Sequence, residues 1–179
     1  MATIKPSEYT ITFSSEFIFD TNIWLLLYGN VADYQKNDQN EYSRLLSEAI
    51  SRKSSIYITT LILSEFANVL LRLEFNIWKK TAQIIEPDYK RDFVGTAEYQ
   101  KAVLQISKSI KSILALPNII RLPDQFNTVD INSILSSFKV VDFNDSFICE
   151  LSKIKNLAIV SNDTDFKQII GSQTLISTK

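Results

Sequence analysis

Phe17-Ile18-Phe19-Asp20-Thr21-Asn22 reads as a short buried strand that ends on a carboxylate and turns directly into a helix. A brief unbroken apolar run of this kind suits a strand covered on both faces, as in a parallel sheet. The arrangement recurs along the chain. Ile56-Tyr57-Ile58 leads into a helix-like segment carrying Glu65, Val140-Val141 leads to Asp142 and Asp145, and Leu157-Ala158-Ile159-Val160 leads to Asp163 and Asp165. In an open parallel α/β sheet the carboxyl ends of the strands share one edge, and ligand sites collect there. Acids distant in sequence are therefore expected to converge on one crevice. Clustered carboxylates repel one another, and a hard cation such as Mg²⁺ or Mn²⁺ is their usual justification.

Working outward, residues 1–15 read as an extension before a first strand at 16–20. A short helix at 22–28 is followed by a polar loop over 30–40. A helix over 41–53 places Tyr42, Leu45, Leu46, Ala49 and Ile50 on one face. A second strand at 55–59 precedes a helix at 61–76, whose inward stripe is Ile62, Phe66, Val69 and Leu73. Glu86-Pro87-Asp88 marks a break. A long helix over 96–115, a short strand at 119–122 and a helix over 127–138 follow. The last third alternates a strand at 139–141, a helix at 145–154, a strand at 157–161, a short helix at 164–170 and an edge strand at 174–177. Strands alternating with helices predict a parallel sheet with right-handed crossovers. Residues 75–130 are helix-rich and read as an elaboration on one side of that sheet.

Composition narrows the chemistry. The 179 residues suffice for one domain with a sizeable core, and 45% hydrophobic with 22% charged residues is ordinary for a globular protein. The chain has no His, which removes Ser-His-Asp and Cys-His catalysis, His-ligated zinc and a histidine base. Its one cysteine, Cys149, excludes an intrachain disulfide framework and reads as helix packing rather than a reactive thiol. With 3 Gly and no G-x-G-x-x-G or Walker-type loop, dinucleotide and P-loop readings lose their main support. The net charge of −1 gives no global attraction to nucleic acid, so such binding needs a local basic patch or bound metal. No stretch approaches the roughly 20 apolar residues of a membrane span, and residues 1–12 lack the apolar core of a secretory signal, so a cytoplasmic protein is the default expectation.

Each acid also has a plain structural reading. Asp20 suits a helix N-cap, and Asp145 suits a first helical turn, where the helix dipole favours negative charge. Asp142 and Asn144 compete with Asp145 as cap or ligand. Glu65 lies at the margin of an apolar stripe, near Asn68 and Arg72 by helical rotation. Ser161-Asn162-Asp163-Thr164-Asp165 fits a turn or a metal loop equally. Their shared position after successive strands carries the functional inference.

Taken together these segments resemble the PIN-domain family, which includes VapC-type toxin ribonucleases. The matching residues are Phe17 to Asn22, Ser64-Glu65-Phe66 opening a helix, Asp145-Ser146-Phe147-Ile148, and Ile159 to Phe166. The match covers 16–75 and 139–170, with the middle unmatched by motif. The resemblance implies one PIN-like domain over 1–179: a three-layer α/β/α fold with a central, mostly parallel sheet and the helical elaboration at about 75–130. It implies an acidic quartet of Asp20, Glu65, Asp145 and Asp163 acting as catalytic groups and metal ligands. Thr21 accompanies Asp20, and Asp165 is an auxiliary ligand candidate ranked below Asp163. The implied activity is metal-assisted hydrolysis of RNA phosphodiester bonds with Mg²⁺ or Mn²⁺. A toxin role, an antitoxin partner and a homodimer follow from the same likeness.

Four like charges repel a phosphate backbone, so basic residues are expected around the site. Arg72, Lys101, Lys108 and Lys111 are the substrate-binding candidates, the three lysines falling broadly on one side of a continuous helix; a solvated helix face is the ordinary reading of such a pattern and the favoured one on sequence alone. Trp24, Trp78 and Tyr99 are the aromatic candidates for base stacking, with Trp24 read mainly as core. Two other functions stay open: a catalytically silent nucleic-acid-binding or assembly module on the same fold, and a metal-dependent phosphatase acting on small molecules.

Overall fold

The computed structural model describes residues 3–29, 36–82 and 84–179. Its centre is a six-stranded sheet in the order β1-β6-β5-β2-β3-β4, with every pairing parallel. The strands are β1 (Thr3–Ile4), β2 (Glu16–Phe19), β3 (Ser55–Ile58), β4 (Ile119–Arg121), β5 (Ala158–Val160) and β6 (Leu175–Ile176). The helices are α1 (Thr21–Tyr28), α2 (Lys36–Ser51), α3 (Thr60–Trp78), α4 (Ala97–Leu114), α5 (Ile131–Ser137), α6 (Phe143–Lys155) and α7 (Phe166–Ile169). A π-helical turn, Tyr89–Phe93, lies between α3 and α4. The fold is the α/β/α arrangement expected of a PIN domain. Among the described residues, no helix is long and apolar enough to cross a membrane.

β2 and β5 form the middle of the sheet. Phe17, Ile18, Phe19, Ile159 and Val160 are all 0% exposed, so the apolar runs reflect burial on both sheet faces. Their register pairs Phe17 with Ala158, Ile18 with Ile159 and Phe19 with Val160. Trp24 closes this core, donating from Nε1 to the Phe19 carbonyl at 3.0 Å with the two rings 5.4 Å apart. From β2 the chain steps outward to β3 and β4, then returns to the other side of β2 to form β5 and β6. The topological switch point therefore falls between β2 and β5, which is where a doubly wound sheet opens a ligand crevice.

Several expected elements move. The N-terminal extension contains β1, which pairs with β6 at the sheet edge, so the first strand is at 3–4 rather than 16–20. Of the expected loop over 30–40, residues 30–35 lie outside the described residues, whereas 36–40 already belong to α2. The helix expected over 127–138 starts only at Ile131. Residues 128 and 129 are held in a turn by the Gln125 carbonyl, and Asp130 Oδ1 caps the helix by accepting from the amides of Asn132 and Ser133. The strand expected at 139–141 is absent. The amides of Val140 and Val141 both donate to the Ser137 carbonyl, continuing the end of α5 as a turn, and Val140 is 59% exposed. The middle of the chain is more than an elaboration, because β4 joins the sheet beside β3. What projects is an antiparallel α3–α4 hairpin, with Leu70 beside Ala102 and Ile106, and Phe75 and Trp78 near the start of α4.

Phe19 sits at the centre of this packing. Phe19→Ala is expected to destabilise the protein by about 3–5 kcal/mol in a denaturant titration. A loss below about 1 kcal/mol would contradict the core described here.

Candidate active site at the β2–β5 switch point

The local geometry begins with the strand register. Asp20 follows β2, and its amide donates to the Val160 carbonyl at 3.0 Å, extending the ladder by one residue. Asp20 thereby stands beside Ser161, whose Oγ donates to Asp20 Oδ2 at 2.8 Å. Asp20 is also the N-cap of α1, with Oδ1 accepting from the Thr21 amide at 2.6 Å. Asn22 braces the partner strand. Its Nδ2 donates to Ser161 Oγ at 3.1 Å, and its Oδ1 accepts from the Asn162 amide at 3.3 Å. Behind it, Asn162 Oδ1 accepts from the Tyr42 hydroxyl and from Thr178 Oγ1, while Asn162 Nδ2 donates to Asp38 Oδ2 at 3.1 Å.

The remaining acids arrive on three other elements. Glu65 lies in the second turn of α3, whose first turn is capped by Thr59. Its Oε2 accepts from Thr21 Oγ1 at 3.0 Å and from Asn144 Nδ2 at 3.2 Å, which ties α1, α3 and α6 together. At α6 the competition among acids resolves clearly. Asp142 is the N-cap, accepting from the Asp145 amide at 2.8 Å, and it is exposed. Asp145 is only 7% exposed, and its carboxylate accepts no hydrogen bond from any described residue. After β5, Asp163 donates from its amide to Ser161 Oγ at 2.9 Å and accepts from the Asp165 amide at 2.9 Å. Asp165 accepts from Gln168 Nε2 at 3.0 Å.

The electrostatics show which acids share the crevice. Burial pushes the Asp20 carboxyl up to about 7; the Ser161 and Thr21 hydrogen bonds oppose this, and the charges of Glu65 and Asp163 add to it. Burial likewise pushes Asp145 up to about 8, reinforced by Asp20, Asp142, Asp163 and Glu65. No cation offsets these charges among the described residues. The ion pairs join Arg44 to Glu41 and Glu48, Arg52 to Glu48, Arg91 to Asp92, and Lys153 to Glu150. Hard carboxylate oxygens and an unpartnered buried Asp145 suit a hard divalent cation. Among the described residues, however, no three Asp, Glu or Cys side chains approach closely enough to form a finished metal cage.

The structure thus brings Asp20, Glu65, Asp145 and Asp163 together with Thr21, while Asp165 is joined to Asp163 through its amide and to Gln168 through its carboxylate. Arg72, Lys101, Lys108 and Lys111 are exposed, and none pairs with the acids. Arg72 instead lies over the Tyr89 ring, 5.9 Å from its centroid. Trp24 is fully buried, while Trp78 and Tyr99 pack on Phe93 in a separate aromatic cluster. Cys149 is buried and its thiol is pushed up to about 11 by that burial, so it is packing. Sequence reasoning missed Ser161 as the donor that orients Asp20, and it read Asn144 as a rival cap or ligand rather than the neutral donor to Glu65 that it is. Strand register and helix phase would have been needed to single them out.

Folding raises both carboxyls above their unfolded value near ~4, so the folded state holds more protons. Their stabilising contribution is complete below that unfolded value and is lost as pH rises through about 7 and then about 8. In chelator, thermal unfolding should therefore show Tm falling from pH 5 to pH 8.5, and Asp145→Asn should flatten the decline. A Tm that rises over that interval would contradict the buried acid cluster.

The comparisons with known proteins agree with this architecture. The PIN domain family pattern matches residues 17–171. Among solved structures, VapBC2 from Rickettsia felis, bound to a DNA fragment from its promoter, has a chain that aligns with a TM-score of 0.56 at 12% identity, covering 92% of this chain and 99% of that one. PAE2754 from Pyrobaculum aerophilum aligns with a TM-score of 0.48 at 13% identity, covering 92% and 86% respectively. No curated protein matches the chain significantly. With the family pattern spanning β2 to the end of α7 and the sheet carrying its acids at the expected edge, the chain belongs to the PIN-domain family.

Proposed function

We propose that this protein is a metal-dependent endoribonuclease, working as a single PIN-like domain, and that it is the toxin of a toxin–antitoxin pair. The observation that carries the reading is the convergence of Asp20, Glu65, Asp145 and Asp163 at the switch point with no cation among their described neighbours. Membership of the PIN family supports nuclease chemistry, and the fold shared with VapBC2 supports the toxin–antitoxin setting. The partners on this reading are an RNA substrate, an antitoxin protein and a second copy of the chain, in the cytoplasm.

Asp20, Glu65, Asp145 and Asp163 would hold Mg²⁺ or Mn²⁺, which when bound supplies Lewis-acid activation of water and stabilises charge on the scissile phosphate. The chain's own contribution is orientation. Ser161 and the Thr21 amide fix the Asp20 carboxylate, while Thr21 Oγ1 and Asn144 fix Glu65. These are neutral donors, so they aim the oxygens without consuming the negative charge a cation needs. The α6 cap is made by Asp142, which leaves Asp145 free to face the crevice. Asp163 is held at the end of β5 through Ser161. Arg72, Lys101, Lys108 and Lys111 remain the candidates for the flanking phosphates.

A catalytically silent RNA-binding module is the second reading, favoured by the open spacing of the acids, no three of which make a finished cage among the described residues. Cleavage of mixed RNA with Mn²⁺ separates the two. Wild type should cut, and Asp20→Asn should lose about a thousandfold or more in rate while keeping its circular dichroism, since the ion supplies several kcal/mol to the transition state. Full activity in Asp20→Asn, or in wild type with all divalent metal chelated, would exclude the mechanism. RNA binding without cutting under any divalent ion would establish the silent module.

A further inference from the structure

We infer that the apolar groove beside the acidic crevice is a nucleobase subsite, one that stacks a base on Phe126 and Phe143 and reads its amino edge through Asp124. The inference rests on the ribonuclease reading and adds to it how the substrate strand is held. The groove has a volume of about 360 Å³, near the lower end of the ~300–1,000 Å³ typical of small-ligand clefts and enough for one base with its sugar. Phe126, Phe143 and Phe147 provide its aromatic wall, and Thr60, Ser64 and Asp124 its polar atoms.

Position singles this groove out. Ser64 on one wall precedes Glu65, and Phe143 on the other precedes Asn144, the two residues joined by the 3.2 Å hydrogen bond at the crevice. A strand whose phosphate lies at the carboxylates therefore presents an adjoining base to the groove. Phe126 is 60% exposed, so its ring has a π-face free, and Phe143, which pairs edge-to-face with Phe138 at 5.7 Å, is still 37% exposed at the groove. Phe126 is held in a turn whose amide donates to Asp124 Oδ1 at 3.2 Å, fixing ring and carboxylate relative to each other. That carboxylate keeps open acceptor sites. A buried phosphate is disfavoured beside it, whereas the amino group of cytosine, adenine or guanine is a matching donor. Uracil offers only its N3–H, flanked by two carbonyl oxygens that a carboxylate repels, so the groove should discriminate against it. Trp78 and Tyr99, by contrast, spend their faces on Phe93.

Binding of fluorescein-labelled A10, C10 and U10 oligoribonucleotides, followed by anisotropy with Mg²⁺ in the cleavage-silenced Asp20→Asn protein, tests this independently of cutting. A10 and C10 should bind more tightly than U10. Adding Phe126→Ala should weaken A10 and C10 roughly tenfold, in line with the loss of one base–aromatic stack. Adding Asp124→Asn should narrow the difference between C10 and U10. Both residues are surface positions, and an unchanged Tm confirms folding. Unaltered affinity in Phe126→Ala, or equal binding of all three oligomers, overturns the subsite. Dissociation of a dimer by Phe126→Ala with oligomer binding unchanged overturns it in favour of a second copy of the chain. If wild type cuts RNA but the groove variants bind normally, only the subsite fails; if they lose binding while wild type never cuts, only the nuclease reading fails.

Discussion

The parallel pairing of β2 with β5 is the constraint on which both core and site depend. Its register is locked by side chains that cannot leave the core: Phe17, Ile18 and Phe19 on one strand, Ile159 and Val160 on the other. One residue beyond the last pair, the same register sets Asp20 against Ser161. A slip of one position would send Phe19 toward the crevice and turn Asp20 out of it, because successive side chains of a strand point to opposite faces. Packing energy spent on three apolar residues therefore also aims a carboxylate. The strand register places the first acid of the site, and Ser161 and the Thr21 amide then fix its carboxylate.

Burying these carboxylates, and to a lesser degree holding like charges together, has a cost visible in the raised pKa values of Asp20 and Asp145. Ordinary proteins relieve such repulsion with Lys or Arg, but here the described contacts to Asp20 and Glu65 come from hydroxyls, amides and an asparagine. Neutral donors restrict the rotamers of the carboxylates while leaving their charge available. An arginine in the position of Asn144 would stabilise the folded chain and compete with any cation for the same oxygens. The arrangement sacrifices stability at neutral pH to keep an anionic crevice, as functional sites commonly do.

The sequence made the central strands and the long helices legible because each carries a strong local signal, whereas the four gathered acids were legible only through their shared position after apolar runs and the family resemblance. β2 and β5 are continuous apolar runs, α3 and α4 are long enough for their periodicity to show, and Asp20 and Asp163 stand directly at strand ends. The failures share a physical cause. β1 spans 2 residues and residues 139–141 only three, lengths at which a strand and a turn look alike before pairing is known. The start of α2 in Lys36-Asn37-Asp38 was read as loop because its composition is polar, although Asp38 in the first turn suits the helix dipole. Asp163 ranks above Asp165 in sequence only by lying closer to the strand, and the turn in which the Asp165 amide donates to Asp163 Oδ1 is seen only in the structure. Trp78 and Tyr99 are base-stacking candidates by sequence, yet both pack on Phe93, because aromatic character alone does not report which neighbours a ring finds.

The α3–α4 hairpin shows how a distant part of the chain bears on the site. Ile62, Phe66 and Leu70 form the buried stripe of α3, whereas Val69 and Leu73, expected in it, are 40% and 38% exposed; by helical rotation Glu65 falls on the stripe's flank, facing Thr21 and Asn144. That flank is useful only if the helix cannot roll. Its near end is fixed by the Thr59 cap and by Ile62 and Phe66, both 0% exposed. Its far end is fixed by a second, smaller core in which Phe75 and Trp78 pack against Phe93, itself 0% exposed and in contact with Tyr89 and Tyr99. A helix of 19 residues clamped at both ends by rings resists rotation better than one held by a single turn. The aromatics first considered as base-stacking groups thus serve the site indirectly, by fixing the angle at which α3 presents its carboxylate.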